Sequence, residues 1–182
     1  MLTLFVTVRI KCPGSPQCDD EKAPNITTFF NLPRVKSALK FSFKFTFQET
    51  NAEINHEYFT NNTTFLPTLT SIGAIVDANL QSERDDIRLL VLNGQEDYIV
   101  NTPGNILAYD DLRWSEQAEY RFRPWLPLPG DVLPSTGSWK GTRSGRLAFV
   151  TVDCAGHMVP HDQSEGSYKI MQKWLDGGWK SE

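Results

Sequence analysis

The chain has 182 residues, of which 40% are hydrophobic and 22% charged, and both values are ordinary for one globular domain. Its net charge of −4 at pH 7, its pI near 5.4 and the lack of a Lys/Arg cluster argue against a nucleic-acid-binding protein. No apolar run is long enough to span a bilayer, so we expect neither nucleic acid nor a membrane as a partner.

The first part of the chain combines an apolar start with a loop that contains two cysteines. Residues 1–8 lack the basic start and the small-residue cleavage pattern of a signal peptide, and their composition is more typical of a strand. Cys12 and Cys18 flank a Pro/Gly-rich loop that a disulfide could close. A metal site is not expected there, because no second Cys/His pair is present. Cys154 is then left over, as a buried apolar side chain or as a reactive thiol, and we favour burial.

Three patterns follow before the middle of the chain. The spacing of apolar residues predicts a helix over 26–39, with Pro33 in an early turn. Four phenylalanines then alternate with polar residues over 41–47, which predicts a strand with one packed apolar face. Residues 51–64 are polar and typical of a loop, and 65–80 have the spacing of a helix. We have no functional account of the alternating phenylalanines.

Two short apolar runs, 87–92 and 147–152, have the composition of strands buried on both faces, as in a parallel sheet. A helix is expected from about Pro103 to Trp114, followed by an irregular stretch with short strands near 119–125 and 138–142. The last helix is expected from Asp162 to Asp176, with Asp162 as its N-cap and Glu165 as the capping-box partner.

A polar residue stands beyond the end of each predicted buried strand. Asp97 follows the first strand and His157 follows the second. A lone loop histidine usually hydrogen-bonds to backbone, but an acid followed by a histidine is the second half of the α/β-hydrolase triad, in the chain order of that fold. The acid would hold one imidazole nitrogen, and the other would be left to take a proton from a nucleophile.

The chain resembles the serine carboxypeptidase family over nearly all of its length, but only the C-terminal part of that family. The resemblance is carried by Gly156-His157-Met158-Val159-Pro160 with Asp162, Asn93-Gly94 with Asp97, Gly104-Asn105 with Leu112 and Trp114, Asn31-Leu32 with Val35, Ala38 and Leu39, and Arg9-Ile10-Lys11-Cys12 with Cys18. It implies the C-terminal part of an α/β-hydrolase fold with a remnant of a helical or loop insertion. We expect a single partial domain over 1–182, with the insertion end in 1–80 and the C-terminal core in 81–182.

The resemblance also implies roles for individual residues. Asp97 and His157 take the catalytic positions, and Met158 lines the leaving-group side of a site for the C-terminus of a peptide substrate. We group Asn93 and Gly94 with the substrate-binding positions, because they shape the turn that presents the acid. No metal and no organic cofactor is implied.

Further expectations concern processing and location. The resemblance implies a Cys12–Cys18 disulfide, and Asn25, Asn61 and Asn62 head glycosylation sequons. Together they favour the secretory route, in a vacuole or lysosome or outside the cell, although the chain shows no signal peptide. Since the family counterpart of residues 8–12 lies deep inside its chain, we expect Met1 to start within a longer or ancestral protein.

The sequence contains no Gly-x-Ser-x-Gly elbow, on which a serine nucleophile of this fold would sit. Ser167 is the nearest match by letters, but it lies inside the predicted last helix. Losing the nucleophile can cost on the order of 10⁶ in kcat. We therefore expect a serine-type carboxypeptidase by lineage that is inactive alone and needs an N-terminal half chain. The alternatives are a non-catalytic interaction or decoy remnant, and a fragment of a carboxypeptidase-like acyltransferase.

Overall fold

The structure is a computed structural model that describes residues 23–61, 68–78, 87–132 and 135–180. These residues fall into two compact units, 23–61 and 68–180. The predictions for residues 1–22, including the apolar start and the Cys12–Cys18 bridge, lie outside the described residues. In the described parts, no helix is both long and apolar enough to cross a bilayer.

The unit formed by residues 23–61 contains three helices, α1 (Ala23–Asn31), α2 (Pro33–Ala38) and α3 (Ala52–Thr60). The single helix predicted over 26–39 is therefore wrong in one respect, because it is divided between α1 and α2. Pro33 is the reason: it opens α2, and the residue before it, Leu32, takes the extended conformation (φ −61°, ψ 132°) that a following proline favours.

Two further predictions for this unit are wrong. Residues 41–47 form a loop and not a strand, and Asn31 closes the loop by donating to the Phe47 carbonyl and accepting from the Phe47 N–H, both at 2.9 Å. Residues 52–60 form α3 and not a loop, and the side chain of Asn51 caps the helix by accepting from Glu53 N and Ile54 N.

The unit formed by residues 68–180 is built on a four-stranded sheet in the order β1-β4-β3-β2. Its strands are β1 (Leu89–Gly94), β2 (Leu126–Pro127), β3 (Gly137–Gly141) and β4 (Leu147–Val152). Strand β1 runs parallel to β4, and β3 runs antiparallel to both β4 and β2. The strand predicted over 147–152 is confirmed, and the one predicted over 87–92 is displaced by two residues.

Strand β4 is buried along its whole length, because apolar side chains cover both faces of the sheet. Ala148, Val150 and Val152 point to a cluster that includes Ile170 and Trp174. Leu147 and Phe149 point to the other cluster, which the following residues complete: Val76, Leu112, Trp114 and Tyr120. This burial on both faces explains why the sequence of the strand is almost entirely apolar.

The helices of this unit are α4 (Leu69–Ala78), α5 (Thr102–Asp110), α6 (Gln117–Arg121), α7 (Val159–Asp162) and α8 (Ser164–Leu175), with a 3-10 helix at Gly130–Val132. The strand predicted near 119–125 is wrong, because α6 covers its first three residues and the strand that pairs with β3 is β2, which begins one residue after that stretch. The strand predicted near 138–142 corresponds to β3, displaced by one residue. The last helix, predicted from Asp162 to Asp176, is confirmed as α8, which begins two residues later and ends one residue earlier, and the short α7 precedes it.

Candidate active site

The site lies where the loops after β1 and β4 meet at the C-terminal ends of these two parallel strands. Gln95 N donates to Val152 O at 2.8 Å and Glu96 N donates to Ala155 O at 2.9 Å, so the backbone joins the two loops directly. Asp97 N donates to Gly94 O at 3.0 Å, which closes the turn that presents the Asp97 carboxylate. Polar side chains at this edge are thereby held in a fixed relation to each other.

Gly94 permits this close approach because it has no side chain. A Cβ at this position would lie 2.2 Å from Gly156 O and 2.3 Å from Ala155 O, both of them backbone atoms. No other residue type fits without separating the two loops. Gly94 therefore sets the distance between the acid-bearing loop and the histidine-bearing loop.

The structure brings Asp97 and His157 together. His157 Nδ1 lies 3.0 Å from Asp97 Oδ2, and the side chains are 49% and 5% exposed, respectively. The other carboxylate oxygen of Asp97 accepts from the backbone N–H groups of Ile99 and Val100, both at 2.9 Å. Three donors can thus satisfy the buried carboxylate, and they fix its orientation toward the imidazole.

This arrangement determines what the imidazole can do chemically. With Asp97 ionised, Nδ1 carries the proton and donates it to Oδ2, which leaves the Nε2 lone pair unused by the acid. Because His157 is half exposed while its acid is buried, the ring can exchange a proton with a group outside these loops. That is the role of the histidine in an acid–histidine–nucleophile triad.

Asn93 is buried, and its amide is used to hold the loop that follows β1. Asn93 Nδ2 donates to Thr102 Oγ1 at 3.0 Å, and Asn93 Oδ1 accepts from Asn105 Nδ2 at 2.9 Å. Thr102 Oγ1 in turn donates to Gly94 O at 2.7 Å. These contacts show that Asn93 and Gly94 shape the turn that presents the acid. No local sequence pattern marks Thr102 as part of this network, and Asn105 is marked only by the Gly104-Asn105 pair.

Asp162 has a different role from the predicted one. It is the last residue of α7, and α8 has Gln163 at its N-cap, so the predicted Asp162/Glu165 capping box is wrong. Asp162 Oδ2 instead accepts from Gly156 N at 2.7 Å, and Oδ1 lies 3.1 Å from His161 Nδ1. The carboxylate thereby fixes the residue directly before His157.

Met158 and Cys154 flank the histidine along the chain. Met158 follows His157 and is 63% exposed. Cys154 is disulfide-bonded, so the prediction of an unpaired cysteine is wrong. Its partner lies outside the described residues.

The described residues provide no nucleophile for His157. Its only side-chain hydrogen bond within them is the one to Asp97. Ser167 lies on α8, is 6% exposed, and its hydroxyl has no partner in the described part of the chain. Those parts also contain no group of three His, Cys, Asp or Glu side chains that could hold a metal ion.

The remaining candidate positions are the sequon asparagines. Asn61 is exposed just after α3, where an attached glycan would meet solvent. Asn25 lies in α1, but its side chain is not among those described, and Asn62 lies outside the described residues.

Comparison with known proteins places this geometry in context. The sequence profile of the serine carboxypeptidases matches residues 6–177. A carboxypeptidase Y homolog A of Neosartorya fischeri is 34% identical over 102 residues, which are 52% of this chain and 18% of the relative. Serine carboxypeptidase-like 48 of Arabidopsis thaliana is 29% identical over 176 residues, 95% of this chain and 31% of the relative.

A vacuolar serine-type carboxypeptidase of Saccharomyces cerevisiae is 34% identical over 96 residues, 50% of this chain and 18% of that protein. The chain therefore spans between 18% and 31% of the length of these three relatives.

Proposed function

Because the chain belongs to the serine carboxypeptidase family, we propose that Asp97 and His157 form the acid–base half of a serine-type carboxypeptidase site. The observation that carries this proposal is the 3.0 Å contact between His157 Nδ1 and Asp97 Oδ2 at the ends of two parallel strands. The activity is hydrolysis of the last peptide bond of a peptide, which releases the C-terminal amino acid.

In this proposal the unit formed by residues 68–180 is the C-terminal part of an α/β-hydrolase sheet, and 23–61 is a remnant of an insertion. Support for the hydrolase assignment comes from the mixed sheet and from an acid and a histidine that each follow a parallel strand. In the same proposal an N-terminal half chain supplies the serine and the backbone donors of the oxyanion hole, because no serine of the described residues hydrogen-bonds to His157.

The chemistry assigns one step to each residue. His157 Nε2 takes the proton of the serine hydroxyl as the serine attacks the scissile carbonyl, and then gives that proton to the leaving amino acid. Asp97 holds the ring by accepting from Nδ1–H and stabilises the imidazolium that forms. Met158, exposed beside the histidine, contacts the leaving residue.

We also propose a compartment for this chain. A disulfide at Cys154 and an exposed sequon at Asn61 are typical of proteins that mature in an oxidising compartment. The secretory route or a vacuole fits both features, and one of the relatives named above is vacuolar.

The proposal is tested by reconstitution. The 182-residue chain is co-expressed with a serine-bearing N-terminal half of a relative, and the release of the C-terminal amino acid from a blocked dipeptide is measured. We expect activity only from the pair, with a fall of on the order of 10⁴–10⁶ in kcat for His157→Ala. His56→Ala is the matched control, since the exposed His56 of α3 is outside the loops that carry Asp97, His157 and Asp162.

Two results would count against the proposal. One is a pair that co-purifies but hydrolyses nothing, which would favour the non-catalytic interaction remnant. The other is activity that His157→Ala leaves unchanged. If the pair instead transfers an acyl group to an acceptor faster than to water, the acyltransferase alternative replaces hydrolysis.

A further inference from the structure

Three phenylalanines stand out on one short segment of the 23–61 unit, residues 40–47, which we call the aromatic loop. Phe41, Phe43 and Phe45 are 53%, 68% and 50% exposed, respectively. Exposed apolar side chains are common one at a time, but three of the largest on one loop mark a surface that other molecules contact. The proposed hydrolysis does not use this loop.

The aromatic loop has a defined conformation that presents these rings. Phe45 N donates to Ser42 O at 3.0 Å, so Phe43 and Lys44 occupy the tip of a tight turn. The rings of Phe41 and Phe45 stack with their centroids 5.4 Å apart, on either side of that tip. Asn31 closes the loop at Phe47 through the two hydrogen bonds described above.

The base of the loop is anchored by a lysine that is itself buried. Lys36 is 8% exposed, its Nζ donates to Phe45 O at 2.6 Å, and its carbonyl accepts from Phe41 N at 2.9 Å. The backbone of the loop is thus fixed from inside the unit. The three phenylalanine side chains keep half or more of their surface exposed to solvent.

Every charged residue of the segment 34–47 is basic, and the next acidic residue along the chain is Glu49. Arg34, Lys40 and Lys44 are exposed, and the segment 34–47 contains no acidic residue, in a chain whose net charge is −4. This local excess of positive charge is opposite in sign to the whole molecule. It favours an anionic occupant for the surface on which the phenylalanines stand.

We propose that the aromatic loop docks this unit on an anionic lipid surface. Phenylalanine rings at the tip of a loop enter the boundary between headgroups and acyl chains, and neighbouring basic side chains pair with the lipid phosphates. The contact is peripheral and needs no spanning helix. It departs from the expectation, drawn from the sequence, that no membrane takes part.

Helix α3 of the same unit offers an internal comparison. Tyr58 and Phe59 are 54% and 53% exposed, as open as the phenylalanines of the aromatic loop, but Glu53 and Glu57 share their helix. If exposure alone caused lipid binding, both surfaces would bind. If the pairing of aromatic and basic side chains causes it, the aromatic loop alone binds.

The test measures the partition of the 182-residue chain onto phosphatidylcholine vesicles with and without phosphatidylserine. We expect binding to the anionic vesicles that weakens as salt is raised. Phe41→Ser/Phe43→Ser/Phe45→Ser should lower the partition coefficient by more than about tenfold, and Arg34→Gln/Lys40→Gln/Lys44→Gln by about tenfold or more. Tyr58→Ser/Phe59→Ser is the control and should leave it unchanged.

All of the substituted side chains are exposed, and circular dichroism of each variant checks that its helices remain. The proposal is overturned by equal binding to vesicles with and without phosphatidylserine, by no binding to either, or by an equal loss in the α3 control. It is also overturned if the chain self-associates without lipid and the triple phenylalanine variant abolishes this, since a second copy would then be the occupant. None of these results depends on peptidase activity.

Discussion

Asp162 is the residue whose role the structure changes most. Its carboxylate accepts from the backbone of Gly156, the residue before the histidine, and its side chain is 12% exposed. A hydrogen bond to a charged acceptor contributes about 1.5–3 kcal/mol to the free energy of unfolding, and this is lost when the acceptor is removed. Asp162 therefore acts as a positioning residue for the histidine-bearing loop.

Asp162→Ala should release that loop without unfolding the sheet. We expect the Gly156 amide to exchange with deuterium much faster in the variant, because its acceptor is gone, while amides of β4 keep their protection. Asp162→Asn, which keeps one acceptor oxygen, should restore part of the protection. Unchanged exchange at Gly156 in Asp162→Ala would show that the carboxylate does not hold the loop.

At this scale the sequence predicted the two central side chains but not those that support them. Asp97 and His157 each follow a buried strand, and the ends of parallel strands share one edge of a sheet. The spacing of Asp162 and Glu165 is that of a capping box. An aspartate that instead accepts from the backbone of a preceding loop can have the same spacing, so the sequence could not distinguish the two roles. Asn105 lies twelve residues after Asn93 in the chain, and only the fold brings its side-chain amide close enough to donate to Asn93.

Among the elements, the meeting of the two loops at Gly94 is the most restrictive contact. Gly94→Ala would place a methyl group against two backbone oxygens that cannot rotate away. We expect a loss of about 1–3 kcal/mol or more in the free energy of unfolding, together with separation of Asp97 from His157. The loss is read from urea unfolding followed by tryptophan fluorescence.

Gly130→Ala is the matched control for this substitution, since a Cβ at Gly130 meets no atom within 4 Å. Both changes add the same methyl group and lower the entropy of the unfolded chain in the same way. If Gly94→Ala proves as stable as Gly130→Ala, the close approach of the two loops is not a constraint.

A second link between elements is electrostatic. Glu119 of α6 accepts from Arg143 N and from Arg123, both at 2.8 Å, and so ties α6 to the turn between β3 and β4. Burial raises the pKa of Glu119, but these hydrogen bonds and the two arginine charges outweigh it and lower the pKa below its ordinary 4.5. The folded state therefore holds the ionised form more strongly than the unfolded state does.

The sign of the resulting pH dependence follows from linkage. A carboxyl with a lowered folded pKa stabilises the fold at pH values above its unfolded pKa, near 4.5, and this contribution is lost as the pH falls through the folded value. Glu119→Gln should therefore reduce stability at pH 7 and flatten its decline between pH 5 and pH 3, roughly the interval in which a carboxyl titrates. Thermal unfolding at several pH values measures this. Equal acid sensitivity of the two proteins would contradict it.

For the whole molecule, the sequence predicted the buried strands better than the 23–61 unit. Strand β4 is covered on both faces, so its composition and its structure agree. The alternation over 41–47 has the period of a strand, but the described residues of that unit contain no second strand with which it could pair. The backbone of Phe47 instead hydrogen-bonds to the side chain of Asn31. Helix α3 has no buried residue, so its sequence lacks the apolar stripe that predicts a helix.

The order of the strands in the sheet could not be predicted from the sequence either. The two parallel strands are 53 residues apart at Gly94 and Leu147, and β3 lies on the far side of β4 through an antiparallel hairpin. The pairing of strands that are distant in the chain depends on which faces of the sheet are buried. The helices that bury those faces come from many parts of the unit. The sequence could place an acid and a histidine after strands, and the fold decides that they meet.

The central claim is that Asp97 holds the His157 ring with Nδ1 protonated and Nε2 available. The most direct measurement is ¹⁵N NMR of the histidine side chains in the 182-residue chain, at a pH where the imidazoles are neutral. We predict the Nδ1–H form for His157, a shift toward the Nε2–H form in Asp97→Asn, and no change for solvent-exposed His56. A His157 tautomer that is the same in both proteins would contradict the account.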